Sequence, residues 1–204
     1  MPQQVTFSIG HSTHTYERFL ELLRKAGVTA IADVRTSPFS RHFPQFNEDT
    51  LKDELRIDGI AYSFLGKELG GRPTGRQYYC DGVADYERMA QSSAFRHGID
   101  RVLEGTREYR IALMCSEHDP LDCHRCLLVG RALAVRGVAV RHILADGAIA
   151  DHGEIEERLL ESEGQQSVDL FLSPDERLAE AYRKRARKVA YAEQSDASVT
   201  HAAE

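Results

Sequence analysis

Along the first 147 residues, apolar positions fall into blocks that switch between short continuous runs and a spacing of three and four. The runs predict buried strands and the spacing predicts helices with one buried face. Val5 to Gly10 (VTFSIG) is the first strand. Thr15 then caps a helix carrying Phe19, Leu20, Leu22, Leu23 and Ala26, and Gly27 ends it. Thr29 to Val34 is the second strand. Asn47 opens a helix with Leu51 and Leu55 inward, and Ile60 to Leu65 is the third strand. The segment from Ala84 to Glu104 predicts one long helix, Ile111 to Met114 a fourth strand, and Leu127 to Val135 a helix stopped at Gly137. Val138, Val140 and Ile143 form the last strand. Strand, helix and strand within about 35 residues is the crossover unit of parallel sheets. The expected architecture is therefore α/β: a Rossmann-like three-layer sandwich with a mainly parallel sheet and a C-terminal helical tail.

Beyond Gly147 the pattern loosens into a short helix over Glu154 to Leu160 and a polar linker from Glu161 to Ser167. Ser173-Pro174-Asp175-Glu176 then combines a capping serine, proline at the first helical position and glutamate at the third, which predicts a helix start. That helix carries Arg183, Lys184, Arg185, Arg187 and Lys188, a local basic strip that offers contact with nucleic acid. Residues 1–160 are expected to form one α/β catalytic-type domain, and 161–204 a linker, the basic helix and a fraying tail.

Composition adds little to this picture. Of 204 residues 28% are charged, and the net charge of −6 gives no overall field for a polyanion. No leader-like N-terminus or long apolar segment is visible, so a cytoplasmic protein without a membrane partner is expected. Four cysteines, at 80, 115, 123 and 126, are too few and too clustered for a disulfide framework. The stretch from Gly66 to Tyr86 has five glycines, three basic residues and three tyrosines, the texture of a loop over a site.

The chemistry concentrates where strands end. His11 and Ser12 follow the first strand, Asp33 and Arg35 the second, Lys67 the third, Cys115 and Glu117 the fourth, and Asp146 the last. In a parallel sheet these ends share one edge, and open α/β folds bind ligands there. Asp122 reads as a helix cap that would put Cys123, His124 and Arg125 in the first turn, where free N–H groups favour anions and acidify a thiol. The alternative for each residue taken singly is structural: a buried small thiol, a simple Asp33–Arg35 ion pair, a core histidine.

The pieces SIGHST, IADVRTSPFSRHFPQFN, LGKELGGRP, LMCSEHDPLDCHR and VRHILADG together resemble domain-of-unknown-function family 488. The resemblance implies a compact α/β domain with Asp33, Arg35, Ser40, Arg41, Cys115, Glu117, Cys123, His124 and Arg125 at positions the family motifs occupy. It supplies no settled reaction, and it does not extend to Cys126 or the basic helix.

Three chemistries fit these residues. The first is an enzyme on an anionic, phosphate-bearing nucleotide or nucleic-acid component, with Arg35, Arg41 and Arg125 holding the anion and Glu117 or Asp33 as acid and base in glycosidic-type hydrolysis. His11, Ser12, Lys67 and Cys115 would complete its substrate pocket. The second is thiol catalysis, with Cys123 as nucleophile and His124 or His11 as base. In the third, Cys115, Cys123, Cys126 and a histidine bind zinc, a set that partly matches the zinc deaminase signature but lacks its proline next to the cysteine pair. No cofactor is expected under the first two, and a module that only binds nucleic acid is the non-enzymatic alternative.

Overall fold

The computed structural model describes residues 4–166 and 171–193. The expected frayed tail and the end of the expected linker lie outside the described residues. In chain order the elements are β1 (Val5–Gly10), α1 (Tyr16–Lys25), β2 (Ala30–Asp33), α2 (Glu48–Ile57), β3 (Ala61–Phe64), α3 (Gly66–Leu69), a two-stranded hairpin β4 (Tyr79–Cys80) and β5 (Val83–Ala84), α4 (Tyr86–Ala90), α5 (Ser93–Gly105), β6 (Ile111–Cys115), a π-helical stretch (Arg125–Gly130) running into α6 (Arg131–Val135), β7 (Ala139–Ile143), β8 (Ile149–Asp151), α7 (His152–Ser162) and α8 (Pro174–Val189).

Six strands form one sheet in the order β3-β2-β6-β1-β7-β8, parallel throughout except for the antiparallel edge strand β8. The fold is an α/β three-layer sandwich. Strand alternation divides its core cleanly. Phe7, Ile9, Ile31, Ala112, Met114 and Ile143 point to the layer of α1 and α2. Ala30, Ala32, Ile111, Leu113, Cys115 and Val140 point to the layer of α5, α6, α7 and α8. Both faces are covered, so the strands are apolar runs, and they were visible in the sequence for that reason.

The region from Ala84 to Glu104 is two helices, where one was expected. Ser92 breaks the run because its hydroxyl accepts the Phe95 N–H and caps α5. The β8 strand was not foreseen: three residues pair with β7 through a turn in which Asp146 accepts the Ala148 N–H. The basic helix starts with the expected capping box at Ser173 and Glu176. It is not a detached appendage, for Ala181 and Tyr182 are buried in the core.

Candidate functional site

At the C-terminal edge of the sheet, the ends of β1, β2 and β6 meet the loop that enters the π-helical stretch. The β1 end passes so close to this loop that a Cβ on Gly10 would lie 1.9 Å from the Glu117 carbonyl oxygen. Only glycine fits there. The loop is pinned from below by Arg125, fully buried, whose Nη1 donates to Glu117 O at 2.7 Å and whose Nη2 donates to His118 O at 3.1 Å.

Two half-sites result. In the first, Arg35 donates through Nε and Nη2 to both oxygens of Asp33, at 2.9 and 2.6 Å, and the Tyr62 hydroxyl donates to the same carboxylate at 2.7 Å. Both side chains of this ion pair are almost fully buried. His11 stacks on Phe46 with centroids 4.4 Å apart and lies 3.4 Å from Arg35 Nη1. Burial, and then the Arg35 charge, lower the His11 pKa to about 4.

In the second half-site, the Sγ atoms of Cys115 and Cys123 lie 3.7 and 3.8 Å from His124 Nδ1. His124 Nε2 is 2.8 Å from the Val34 carbonyl oxygen, which can only accept, so Nε2 carries the proton and Nδ1 faces the sulfurs. Cys123 Sγ is also 2.9 Å from Glu117 Oε2 and receives the Arg125 backbone N–H at 3.4 Å. Burial opposes ionisation of Cys123, yet the Cys115 hydrogen bond and the charges of Arg125 and His124 outweigh it and hold the thiol well below its ordinary range. Cys115 is pushed the other way by burial and by the neighbouring Cys123 sulfur. Burial, and then the Cys123 charge, raise the Glu117 carboxyl above its ordinary range. His124 is raised: the Cys123 charge overcomes its burial.

A cavity of about 340 Å³ opens onto this second half-site. Cys115, Glu117, Cys123, His124 and Arg35 line it on the inside, with Phe39, Arg72, Asp122 and Tyr191 among its other walls. Asp33 is not in the wall; it stands behind Arg35. Two arginines expected to hold an anion are therefore occupied within the protein, Arg35 by Asp33 and Arg125 by two carbonyls. Besides Arg35, the cavity is lined by Arg72, from the glycine-rich stretch, with its guanidinium 4.9 Å above the Tyr191 ring.

Other expected members lie elsewhere. Lys67 is exposed and lines a separate cavity beside α5, because α3 turns it away from the edge. Arg41 is exposed on the loop before α2, where the Ser40 hydroxyl and Asn47 side chain fix the turn. Ser12 joins the rim through its backbone, donating to Ser116 O at 3.0 Å with φ 46°. Asp122 does not cap the helix. Asp119 caps the preceding turn by accepting the Leu121 N–H, and Cys123, in extended conformation, stands at the helix cap itself. Cys123 accordingly precedes the first turn, with its sulfur in the place a capping oxygen would take. Cys126 points away from the rim.

The basic strip of α8 is occupied too. Arg183 faces Glu87 at 3.5 Å, Lys184 faces Glu180 at 2.8 Å, Lys188 faces Glu163 at 2.6 Å, Arg185 pairs with Asp122, and Arg187 pairs with Asp81. Lys184–Glu180 lies within α8, and the other four pairs tie the helix to the rest of the domain. No helix among the described residues is long and apolar enough to cross a membrane.

Fold and site together define an α/β protein with a cysteine–histidine cluster at the C-terminal edge of a parallel sheet. The family described as "Domain of unknown function DUF488" matches residues 15–132, more than half of the chain, and the protein belongs to that family. Neither the curated proteins nor the solved structures contain a match.

Proposed function

We propose that this protein is a metal-dependent hydrolytic enzyme in which Cys115, Cys123 and His124 hold a zinc ion at the floor of the cavity. One observation carries this reading: three ligand atoms from these buried residues lie within 4.8 Å of one another. The outer nitrogen of His124 is already fixed by a backbone carbonyl, the arrangement expected around a metal-ligating histidine. Three protein ligands with a fourth position open to a cavity is the catalytic pattern of zinc, whose chemistry is to acidify a bound water or polarise a substrate.

The remaining residues take roles from their positions. Glu117, beside Cys123 on the cavity wall, holds and moves the proton of the attacking water. Arg35 and Arg125 compensate the two thiolates, and Asp33 positions Arg35. The two-carboxylate glycosidic scheme is set aside because Asp33 has both oxygens engaged by Arg35 and Tyr62. The substrate class is a polar molecule of nucleotide type: Arg72 at the mouth would take its phosphate, and the exposed Phe39 ring and Tyr191 would stack its base.

A second reading rests on the Arg125 N–H directed at Cys123 Sγ, which makes Cys123 an acidified nucleophile without metal. The test is to incubate zinc-loaded protein with a panel of nucleosides, nucleotides and sugar phosphates and follow products by chromatography. Turnover that falls at least about 100-fold in Glu117→Gln and is abolished by chelation is expected. Turnover that survives chelation but ends on brief alkylation would establish the thiol enzyme in its place.

A further inference from the structure

A second cysteine–histidine group lies inside the domain, one helical turn beyond the rim. Cys126 comes from the π-helical stretch, His142 from β7 and His152 from the first turn of α7, and all three are buried. His142 Nε2 and His152 Nδ1 are 2.9 Å apart, and Cys126 Sγ is 4.0 Å from His142 Nε2. The three ligand atoms all fall within 4.8 Å of one another.

The outer side of each imidazole is already tied. The Tyr182 hydroxyl donates to Glu156 Oε1 at 2.9 Å, so its oxygen accepts from His152 Nε2 at 3.0 Å. The proton of His152 is thereby placed on Nε2, and the Nδ1 lone pair points inward. His142 Nδ1 is 2.7 Å from the Ser8 hydroxyl, a group that donates or accepts with equal ease. Without a metal the 2.9 Å contact is a hydrogen bond in which His142 Nε2 donates to His152 Nδ1 and Ser8 donates to His142 Nδ1; when the Ser8 hydroxyl accepts in place of donating, the His142 proton moves to Nδ1 and this ring also turns a lone pair inward. Both histidines then present metal-ready nitrogens with every outer hydrogen bond intact, which is how ligating histidines are held.

We propose that Cys126, His142 and His152 form a second metal site, for monovalent copper. The geometry is near what a trigonal centre needs: bond lengths of about 2.0 to 2.3 Å imply N···N of about 3.5 Å and S···N of about 3.8 Å, so the imidazoles part by about 0.6 Å and the Cys126–His142 separation closes by about 0.2 Å. A thiolate and two imidazoles are soft enough for copper(I). A monovalent ion that takes the place of the Cys126 thiol proton leaves the charge of the interior unchanged, where Glu156 already stands 3.6 Å from His152 Nε2 and the Arg125 guanidinium is buried nearby. Three buried ligands suit storage or transfer of the ion.

The site is tested in the full chain carrying Cys115→Ser and Cys123→Ser, which removes the rim thiols and so separates this proposal from the zinc reading. Copper(I), supplied anaerobically as its acetonitrile complex against bicinchoninate, should bind at one equivalent, with an X-ray absorption spectrum of one sulfur and two nitrogens. Adding Cys126→Ala should abolish binding, and Tyr182→Phe should weaken it about 10- to 100-fold. No binding by the folded double variant, or binding indifferent to Cys126→Ala, overturns the proposal. If circular dichroism shows that the double variant does not fold, wild type and Cys126→Ala are compared: a difference of one equivalent supports the site, and none refutes it.

Discussion

Two groups built from the same side chains lie at opposite ends of one helical turn, and they differ in what surrounds them. At the rim, Cys115, Cys123 and His124 face a cavity and are held by backbone: the Val34 carbonyl on the imidazole and the Arg125 N–H on the sulfur. Inside, His142 and His152 are held by the side chains of Ser8, Tyr182 and Glu156, and Cys126 is buried. The rim group has two thiols and one imidazole at a cavity wall, the interior group one thiol and two imidazoles within the core, so access and ligand set together separate a site fit for turnover from one fit to hold an ion. Charge reaches both: Glu117 and Arg35 stand at the rim, and Glu156 stands beside His152 inside.

The sharpest way to break the comparison is at the rim's buried ion pair. Asp33→Ala strands the Arg35 guanidinium and should cost about 3–5 kcal/mol in urea denaturation, and adding Arg35→Met should return most of it. A loss below about 1 kcal/mol would mean that the pair is solvated and the half-site loose.

Acid should act on the rim through His11. Its folded pKa, about 4, lies below the unfolded value of 6.5, so the folded state favours the neutral ring. The contribution is full above about pH 6.5 and is lost as pH falls toward 4, amounting to about 3 kcal/mol. Replacement by Asn should flatten that limb of the stability–pH curve, and an unchanged slope would assign the acid sensitivity to other groups.

Smaller effects refine the contrast. A Cβ on Gly71 would lie 2.9 Å from the His124 ring, so Gly71→Ala should tilt the imidazole off Val34 and weaken rim metal binding about tenfold, leaving the interior group untouched. At the far end of the scale, Lys184→Ala removes an exposed pair within α8 and should change stability by less than about 0.5 kcal/mol. A larger loss would show that this exposed pair stabilises the helix by more than a surface ion pair does.

The strands were legible because burial on both faces makes them apolar runs, and the helix starts because Thr15, Ser173 and Glu176 bond their own backbone. Strand order was not, since β6 enters between β2 and β1 from eighty residues away, and nothing local encodes that choice. The rim cluster was partly legible: Cys115, Glu117, Cys123 and His124 were grouped at one edge, and the Asp33–Arg35 ion pair was foreseen as the structural alternative, but the choice between it and an anion-holding Arg35 depends on rotamers the sequence does not display. His142 and His152 were missed. The signal was available for His142, a polar residue sharing the buried parity of Val140, whereas the other polar residue of the strand, Arg141, has the opposite parity and is exposed. His152 gave none, because it opens a helix whose partner strand β8 is only three residues long.

The central claim, a metal held by Cys115, Cys123 and His124, is tested most directly by the metal content and zinc-edge absorption spectrum of protein purified without a histidine tag. The account predicts one zinc per chain, bound by two sulfurs, one imidazole nitrogen and one lighter donor, and lost in a folded Cys123→Ser variant. Protein that neither carries zinc nor binds it tightly when supplied, with both thiols free to alkylate, would contradict it.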